Sequence, residues 1–381
     1  MERIYLDHAA TSPMHPDIVE SMIPYMTESF GNPSSIHYFG RRSRHALDEA
    51  RQTIADSIHA KPNEIVFTSG GTESDNLAII GSALAMQSKG KHIITSSIEH
   101  HAVLHTCQHL EKQGFSVTYL PVDERGRISL RDLESALTPE TILVTIMFGN
   151  NEVGVIQPIE EIGNLLESHQ ALFHSDAVQA YGLLDIDVNK YKLDLMSVSA
   201  HKINGPKGSG FLYMRDGSKV APLLFGGEQE KKRRAGTENV AGIIGLQAAV
   251  ELSKKSFADR FEMYLDFKRT FLDVLVEEKV SFEVNGDVSN SLPHILNIYF
   301  PGTNVESMLV NLDLAGIAAS SGSACTAGSI DPSHVLVAMF GKESDRITAS
   351  IRFSFGLGND LEQIKMAALE TAKIVKRLTK V

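Results

Sequence analysis

Leu195-Met196-Ser197-Val198-Ser199 runs without a break into Ala200-His201-Lys202-Ile203-Asn204-Gly205-Pro206-Lys207-Gly208. A short, mostly apolar strand thus ends in a tight turn that carries a serine, a histidine and a lysine. Strands of this kind belong to sheets covered on both faces, and ligands bind such sheets at the carboxyl ends of the strands. The pattern recurs along the first two thirds of the chain. Strands are predicted at 65–68, 92–95, 117–121, 142–148, 171–175, 195–199 and 210–214, with amphipathic helices at 77–85, 102–112, 130–137 and 159–169. That alternation predicts βαβ units around a largely parallel sheet. Polar clusters follow several strands: Ser69-Gly70-Gly71-Thr72, Gly149-Asn150-Asn151-Glu152 and Asp176.

Beyond Ala241 the pattern changes. A helical stretch to about Glu278 precedes strands at 295–300 and 351–355 and helices at 305–315 and 361–378. The predicted fold is α/β: a large domain over 15–260 with a mixed, mostly parallel sheet, and a smaller α+β domain built from 1–14 and 261–381. Residues 318–332, rich in Ser, Gly and Ala, have the composition of a mobile loop.

With 381 residues, 43% hydrophobic and 22% charged, the chain is expected to be a soluble two-domain protein. A net charge of −11 argues against direct, stable binding of nucleic acid or an anionic membrane surface. Two cysteines, Cys107 and Cys325, make no disulfide framework and suit a reducing compartment. No stretch is apolar for long enough to span a bilayer, and the opening residues lack the apolar core of a signal peptide. The cytoplasm is the expected location.

The residues at the strand ends suggest a chemistry. A lysine hemmed in at a strand end can lose its proton through desolvation, and a neutral amine is what condensation with an aldehyde cofactor requires. Asp176, at the end of the preceding strand, could hold a pyridine nitrogen protonated, and Gln179 could bond a ring oxygen. The glycines of Ser69-Gly70-Gly71-Thr72 let backbone N–H groups approach an anion at a helix start, to which Ser199 and His201 could add donors. His100 could stack on a planar ring and carry a proton. Each has an ordinary alternative: a solvated loop lysine, a helix N-cap, a plain βα turn. His101, His105 and His109 recur every four residues, but without the matching carboxylate of a zinc signature they read as a polar helix face, and no metal is expected. Cys325, flanked by Ser320-Ser321-Gly322-Ser323-Ala324 and Thr326-Ala327-Gly328-Ser329, reads as an accessible, reactive thiol. Cys107 reads as a packed one.

Taken together, Tyr5-Leu6-Asp7-His8-Ala9-Ala10-Thr11, Phe30-Gly31-Asn32-Pro33-Ser34-Ser35, Gly71-Thr72-Glu73, Asn150-Asn151-Glu152, Ser199-Ala200-His201-Lys202, Arg234-Ala235-Gly236-Thr237 and Ser321-Gly322-Ser323-Ala324-Cys325 resemble, in order and over nearly the whole length, the NifS/IscS-like (group I) cysteine desulfurases of the class V aminotransferase superfamily. The resemblance implies a pyridoxal 5′-phosphate (PLP)-dependent transferase of fold type I, acting as a homodimer. Lys202 would carry PLP through its amine, with His100 stacked on the ring, Asp176 on the pyridine nitrogen, and Gln179 and Asn151 on ring oxygen or substrate. Gly71, Thr72, Ser199 and His201 would hold the phosphate, joined by Thr237 from the other subunit. Arg352 would grip the carboxylate of the substrate, L-cysteine. The implied reaction releases L-alanine and leaves the sulfur on Cys325 as a persulfide. A sulfur-acceptor protein would then take it, either an iron–sulfur scaffold or a tRNA 2-thiouridine enzyme.

Two departures stand out. Lysines occupy positions in Gly226-Gly227-Glu228-Gln229-Glu230-Lys231-Lys232-Arg233-Arg234 where relatives often have glycine. The chain also stops at Val381 without the tail that many iron–sulfur desulfurases use for their scaffold, which raises the expectation of a tRNA-thiolating role. The rival readings are an aminotransferase or selenocysteine lyase, neither of which needs Cys325, and a non-enzymatic sulfur relay, which does not need Lys202 with Asp176.

Overall fold

The computed structural model describes residues 3–321 and 332–380. In chain order its strands are β1 (Ile4–Tyr5), β2 (Ile65–Thr68), β3 (His92–Ser96), β4 (Ser116–Leu120), β5 (Thr141–Thr145), β6 (Leu172–Asp176), β7 (Leu195–Ser199), β8 (Gly210–Met214), β9 (Glu283–Val284), β10 (Ile295–Tyr299), β11 (Ile317–Ala318) and β12 (Ser350–Ser354). Its helices are α1 (Pro16–Thr27), α2 (Tyr38–Asp56), α3 (Gly71–Met86), α4 (His101–Lys112), α5 (Leu130–Ala136), α6 (Ile159–Leu166), α7 (Val240–Lys255), α8 (Phe257–Glu277), α9 (Val305–Leu314), α10 (His334–Phe340) and α11 (Leu361–Thr379).

Seven strands form the main sheet in the order β2-β8-β7-β6-β5-β3-β4. All neighbours are parallel except β8, which runs against both β2 and β7. The fully buried β3, β5, β7 and β8 are the apolar runs, whereas the edge strand β4 is half exposed and carries Ser116 and Thr118. Helices cover both faces, so the parallel strands end together at one rim of the sheet. The mixed, mostly parallel sheet is thus the expected one.

A second sheet, β12-β10-β9, is antiparallel. Strand β1 pairs parallel with β11, and Asp7 bridges to Ser354, so the N-terminus packs on this sheet. Ile4 and Leu6 enter an apolar core with Phe267, Phe271, Phe353, Phe355 and Ile364. The main sheet has its own cores, the largest around Phe67, Val144, Phe173, Met196 and Phe211.

Three local expectations need correction. The helical stretch to Glu278 is two helices, because Ser256 (φ −106°, ψ 13°) leaves the helical region between them. Strand β5 stops at Thr145: the following residues bond β6 (Phe148 N to Asp176 O, 2.8 Å) but then turn into the site. Helices α1 and α2, which were not anticipated, pack against α7. The lysine departure also acquires a shape. Glu230, Lys231 and Lys232 have φ of 47°, 55° and 66°, the left-handed region that glycine favours.

Candidate active site

The ends of β2, β3, β5, β6 and β7 and the N-terminal segment enclose a cavity of about 580 Å³. Lys202 enters from the short turn after β7. Its Nζ donates to Ala9 O (2.5 Å) and Ala10 O (2.8 Å), so the Asp7–Thr11 motif forms the opposite wall. Burial, reinforced by the positive charge of Arg352, lowers its pKa to about 7. A substantial fraction of this lysine is therefore neutral near neutral pH, the state in which it can bond an aldehyde.

Asp176 closes β6. Its Oδ1 accepts from Val178 N at 2.9 Å. Burial raises the pKa, while the Val178 N–H and the Lys202 charge favour the ionised form. Gln179, one turn on, donates from Nε2 to Ala9 O (2.9 Å) and accepts at Oε1 from His294 Nε2 (3.2 Å). His100 caps α4 through Nδ1, which accepts from Ala102 N at 3.1 Å. Its ring is walled by protein yet open to the cavity, and desolvation followed by the Lys202 charge lowers its pKa to about 4. Neutral, and accepting at Nδ1, it carries its proton on Nε2.

The turn between β2 and α3 is a cradle. Gly70 has φ of 143°, and a Cβ on it would lie 3.3 Å from Ser199 Oγ; one on Gly71 would meet Val178 Cγ2 at 2.8 Å. Only glycine lets this backbone approach so closely, leaving the first N–H groups of α3 for an anion. Thr72, Ser199 and His201 line the same end of the cavity. His201 bonds Thr11 Oγ1 at 3.1 Å, and burial lowers its pKa to about 4. Arg234 pairs with Glu73 (2.8 Å), which ties its segment to the cradle. Thr237, in that segment, is exposed and does not line the cavity of its own chain.

Arg352 reaches in from β12. Its Nη1 donates to Asn151 O (2.9 Å) and its Nη2 to Asp7 Oδ1 (2.8 Å), while its buried Nε has no partner. Ala319, Ser320 and Ser321 line the cavity beside it; Cys325 lies outside the described residues. Cys107 is buried on α4 with Ile79, Ile93, Leu110 and Phe115, and burial pushes its thiol up to about 12. His101 stacks on His105 (ring centroids 4.9 Å) and lies 4.7 Å from His334.

Sequence reasoning assigned no role to Asp7, Asp75 or Glu99. Asp7 stands in a motif quoted for the family, and a role for it was legible there; Glu99, next to His100, stands in none of those motifs. Asp75 had no such signal, because only the turn of α3 brings it to the strand ends. Among the described residues, Asp75, His100 and Asp176 place one potential ligand atom each within 4.8 Å of one another.

The donor set fits PLP. A lysine partly neutral near pH 7 could take the aldehyde, a buried carboxylate the ring nitrogen, and a glycine cradle with hydroxyls the phosphate. The aminotransferase class-V family profile matches residues 4–366. A Bacillus subtilis (strain 168) protein provisionally named cysteine desulfurase IscS 1 is 64% identical over the full length of both chains. The cysteine desulfurase IscS of Methanosarcina thermophila is 50% identical over 98% of this chain and 92% of its own. Among solved structures, a NifS-like protein superposes with a TM-score of 0.92 at 34% identity, covering 98% of this chain and 100% of its own. SspA in complex with cysteine gives 0.82 at 41% identity, over 92% and 98%. The cysteine desulfurases of this family use PLP. The chain belongs to the class V aminotransferase family and, within it, to the NifS/IscS-like cysteine desulfurases.

Proposed function

We propose that the protein converts L-cysteine to L-alanine with PLP and retains the sulfur on Cys325 as a persulfide for an acceptor protein of tRNA thiolation or iron–sulfur cluster assembly. The observation that carries this reading is one cavity shared by Lys202, Asp176 and Arg352, whose wall at residues 319–321 leads into the segment containing Cys325.

When bound, PLP supplies an electron sink for charge released at the α-carbon of the substrate. The protein's residues do the rest. Lys202 would hold the cofactor aldehyde, and its free Nζ in the neutral form would be the base for the α-proton. Asp176, ionised, holds the ring nitrogen in its charged form. Gln179 has a second Nε2 hydrogen free for a ring oxygen. His100 faces the ring and donates through Nε2. The cradle of Gly71 and Thr72, with Ser199 and His201, holds the phosphate. Arg352 turns its fork, now on Asp7 and the Asn151 carbonyl, toward the substrate carboxylate. Cys325 attacks the substrate sulfur as a thiolate: the S–S bond forms as the substrate Cβ–S bond breaks, and its electron pair is taken up by a proton on the carbon that leaves as alanine, so no external oxidant is needed.

The working unit is a homodimer in which Thr237 reaches the phosphate bound by the other copy. Ile36 and Phe225 are 91% and 87% exposed, and Phe30, Tyr38 and Phe39 are exposed nearby in sequence. Arg44, one and a half turns along α2 from these aromatics, approaches Glu238 at 3.6 Å, which puts Thr237 on the same flank. Apolar exposure on this scale is expected to be covered in the active protein. Residues 15–260 form the cofactor-binding domain, and 1–14 with 261–381 the domain that carries Cys325. Among the described residues no helix is long and apolar enough to cross a membrane, and we place the enzyme in the cytoplasm. The test is to supply L-cysteine to the PLP-loaded protein and measure alanine together with intact mass. Alanine and one added sulfur on Cys325 support the reading; alanine with no sulfur retained on Cys325 refutes it.

A further inference from the structure

Asp75 lies on the inward face of α3, one turn beyond the cradle, and is 1% exposed. Its Oδ1 has no hydrogen-bond partner and sits 3.7 Å from His174 Nε2. A carboxylate oxygen of Asp75, one of Asp176 and a nitrogen of His100 all lie within 4.8 Å of one another on the cavity wall. Two carboxylates this close, and this far from water, do not both ionise.

The surroundings decide which one keeps the proton. His174 offers no positive charge, because its ring nitrogens are bonded to Thr145 Oγ1 (2.8 Å) and Ser197 Oγ (3.0 Å) and full burial lowers its pKa to about 3. His100 is neutral for the reason given above. Glu99, buried behind them and bonded to Ser96 Oγ and Met147 N, is pushed up by burial to about 8, so near neutral pH it is protonated and adds no charge. The Val178 N–H favours the ionised form of Asp176, as does the Lys202 charge in the cofactor-free site. Asp75 has only Ser197 to favour its ionised form, against burial and the charge of Asp176.

We propose that Asp75 is a positioning residue for Asp176: it keeps a proton and leaves Asp176 as the single carboxylate charge facing the cofactor ring. This rests on the reading that Asp176 meets the ring nitrogen. Protonated, Asp75 offers Asp176 a donor in place of a second negative charge. The Asp176–ring pair is then electrically neutral, and Asp176 is held from behind.

The test uses PLP-loaded wild-type, Asp75→Asn, Asp75→Leu and Asp176→Asn proteins. The first readout is the pH titration of the visible absorption of bound PLP. Asp75→Asn, neutral and still a donor, should leave its midpoint where wild type has it. A shift of about one unit or more would mean that Asp75 carries charge, and would overturn the proposal. The second readout is the rate of PLP release at neutral pH. Asp75→Leu, which lacks a donor, should release PLP on the order of tenfold faster, while Asp75→Asn should not. Equal release from all three Asp75 forms removes the positioning role. The third is melting temperature against pH. Unfolded Asp75 ionises above about pH 4 whereas the folded residue stays protonated, so wild type loses stability as pH rises and Asp75→Asn does not. The advantage of Asp75→Asn over wild type should therefore grow from pH 5 to pH 7; a constant difference counts against the proposal. Asp176→Asn tests the underlying reading separately. If it matches wild type in absorption and release, the assignment of Asp176 to the ring nitrogen fails, and the proposal with it.

Discussion

Ser320 and Arg352 exchange two backbone hydrogen bonds, Ser320 N to Arg352 O at 3.1 Å and Arg352 N to Ser320 O at 2.6 Å. The residue proposed to grip the substrate is thus anchored to the start of the segment that holds the nucleophile. At the segment's other end, Ser333 donates to Glu152 Oε2 at 2.5 Å, and His334 Nε2 donates to Glu99 O at 2.8 Å. The described chain is thus fixed on both sides of the segment that contains Cys325, at Ser320 by the strand that carries Arg352 and at Ser333 and His334 by Glu152 and the Glu99 carbonyl.

Arg352→Ala should lower kcat/KM for L-cysteine by about 10- to 100-fold, mainly through KM, because a charge-assisted pair with the carboxylate is lost. Arg352→Lys keeps the charge but not the planar fork, and should recover only part of the loss. Steady-state alanine production checks both.

Capture of PLP by cofactor-free protein should accelerate as pH rises through about 7, the value to which burial lowers Lys202. The sign follows from the base: protonated below that pH, it is no nucleophile. Absorbance stopped-flow across pH 5.5 to 9 measures the midpoint. A midpoint near that of free lysine, about 10.4, would show that the amine is not desolvated. Lys202→Ala should bind PLP without a borohydride-reducible link.

Cys325→Ser should keep the PLP spectrum and make almost no alanine. Cys107→Ser should keep the full specific activity, because its thiol is packed among apolar side chains and does not line the cavity. Burying a hydroxyl there should lower stability by about 1 kcal/mol. Alanine assays beside thermal melts separate the two roles.

Lys231→Gly and Lys232→Gly should each stabilise the protein by about 0.5–1 kcal/mol, since both lysines hold positive φ. What keeps them there is Glu230, buried and paired twice with Arg51 (2.8 and 2.6 Å) while also accepting from Phe67 N. Arg51→Met strands that carboxylate and should cost about 3–5 kcal/mol. Denaturant unfolding reads all three changes.

Ile36→Asp combined with Phe225→Asp should give a monomer by sedimentation, and that monomer should lose PLP more readily if Thr237 serves the other copy's phosphate. A fully active monomer at assay concentration would refute the homodimer.

Much of this was legible in the chain itself. Strand and helix positions, the lysine turn after β7, the glycine cradle, the carboxylate at the adjacent strand end and the packed setting of Cys107 are local properties. They follow from periodicity, turn chemistry and composition within ten or so residues. The family motifs then named the cofactor and the reaction. Only the tertiary structure decided that β8 alone runs backward in the main sheet, that Ser256 splits a helix, that the consecutive residues Glu230, Lys231 and Lys232 sit at positive φ, and that Asp75 meets Asp176 about a hundred positions away. Those outcomes depend on long-range contacts. A left-handed backbone at Glu230 is held by an ion pair with Arg51, and a proton on Asp75 by charges that arrive on other strands. No window of sequence contains both partners, so no local signal could announce them.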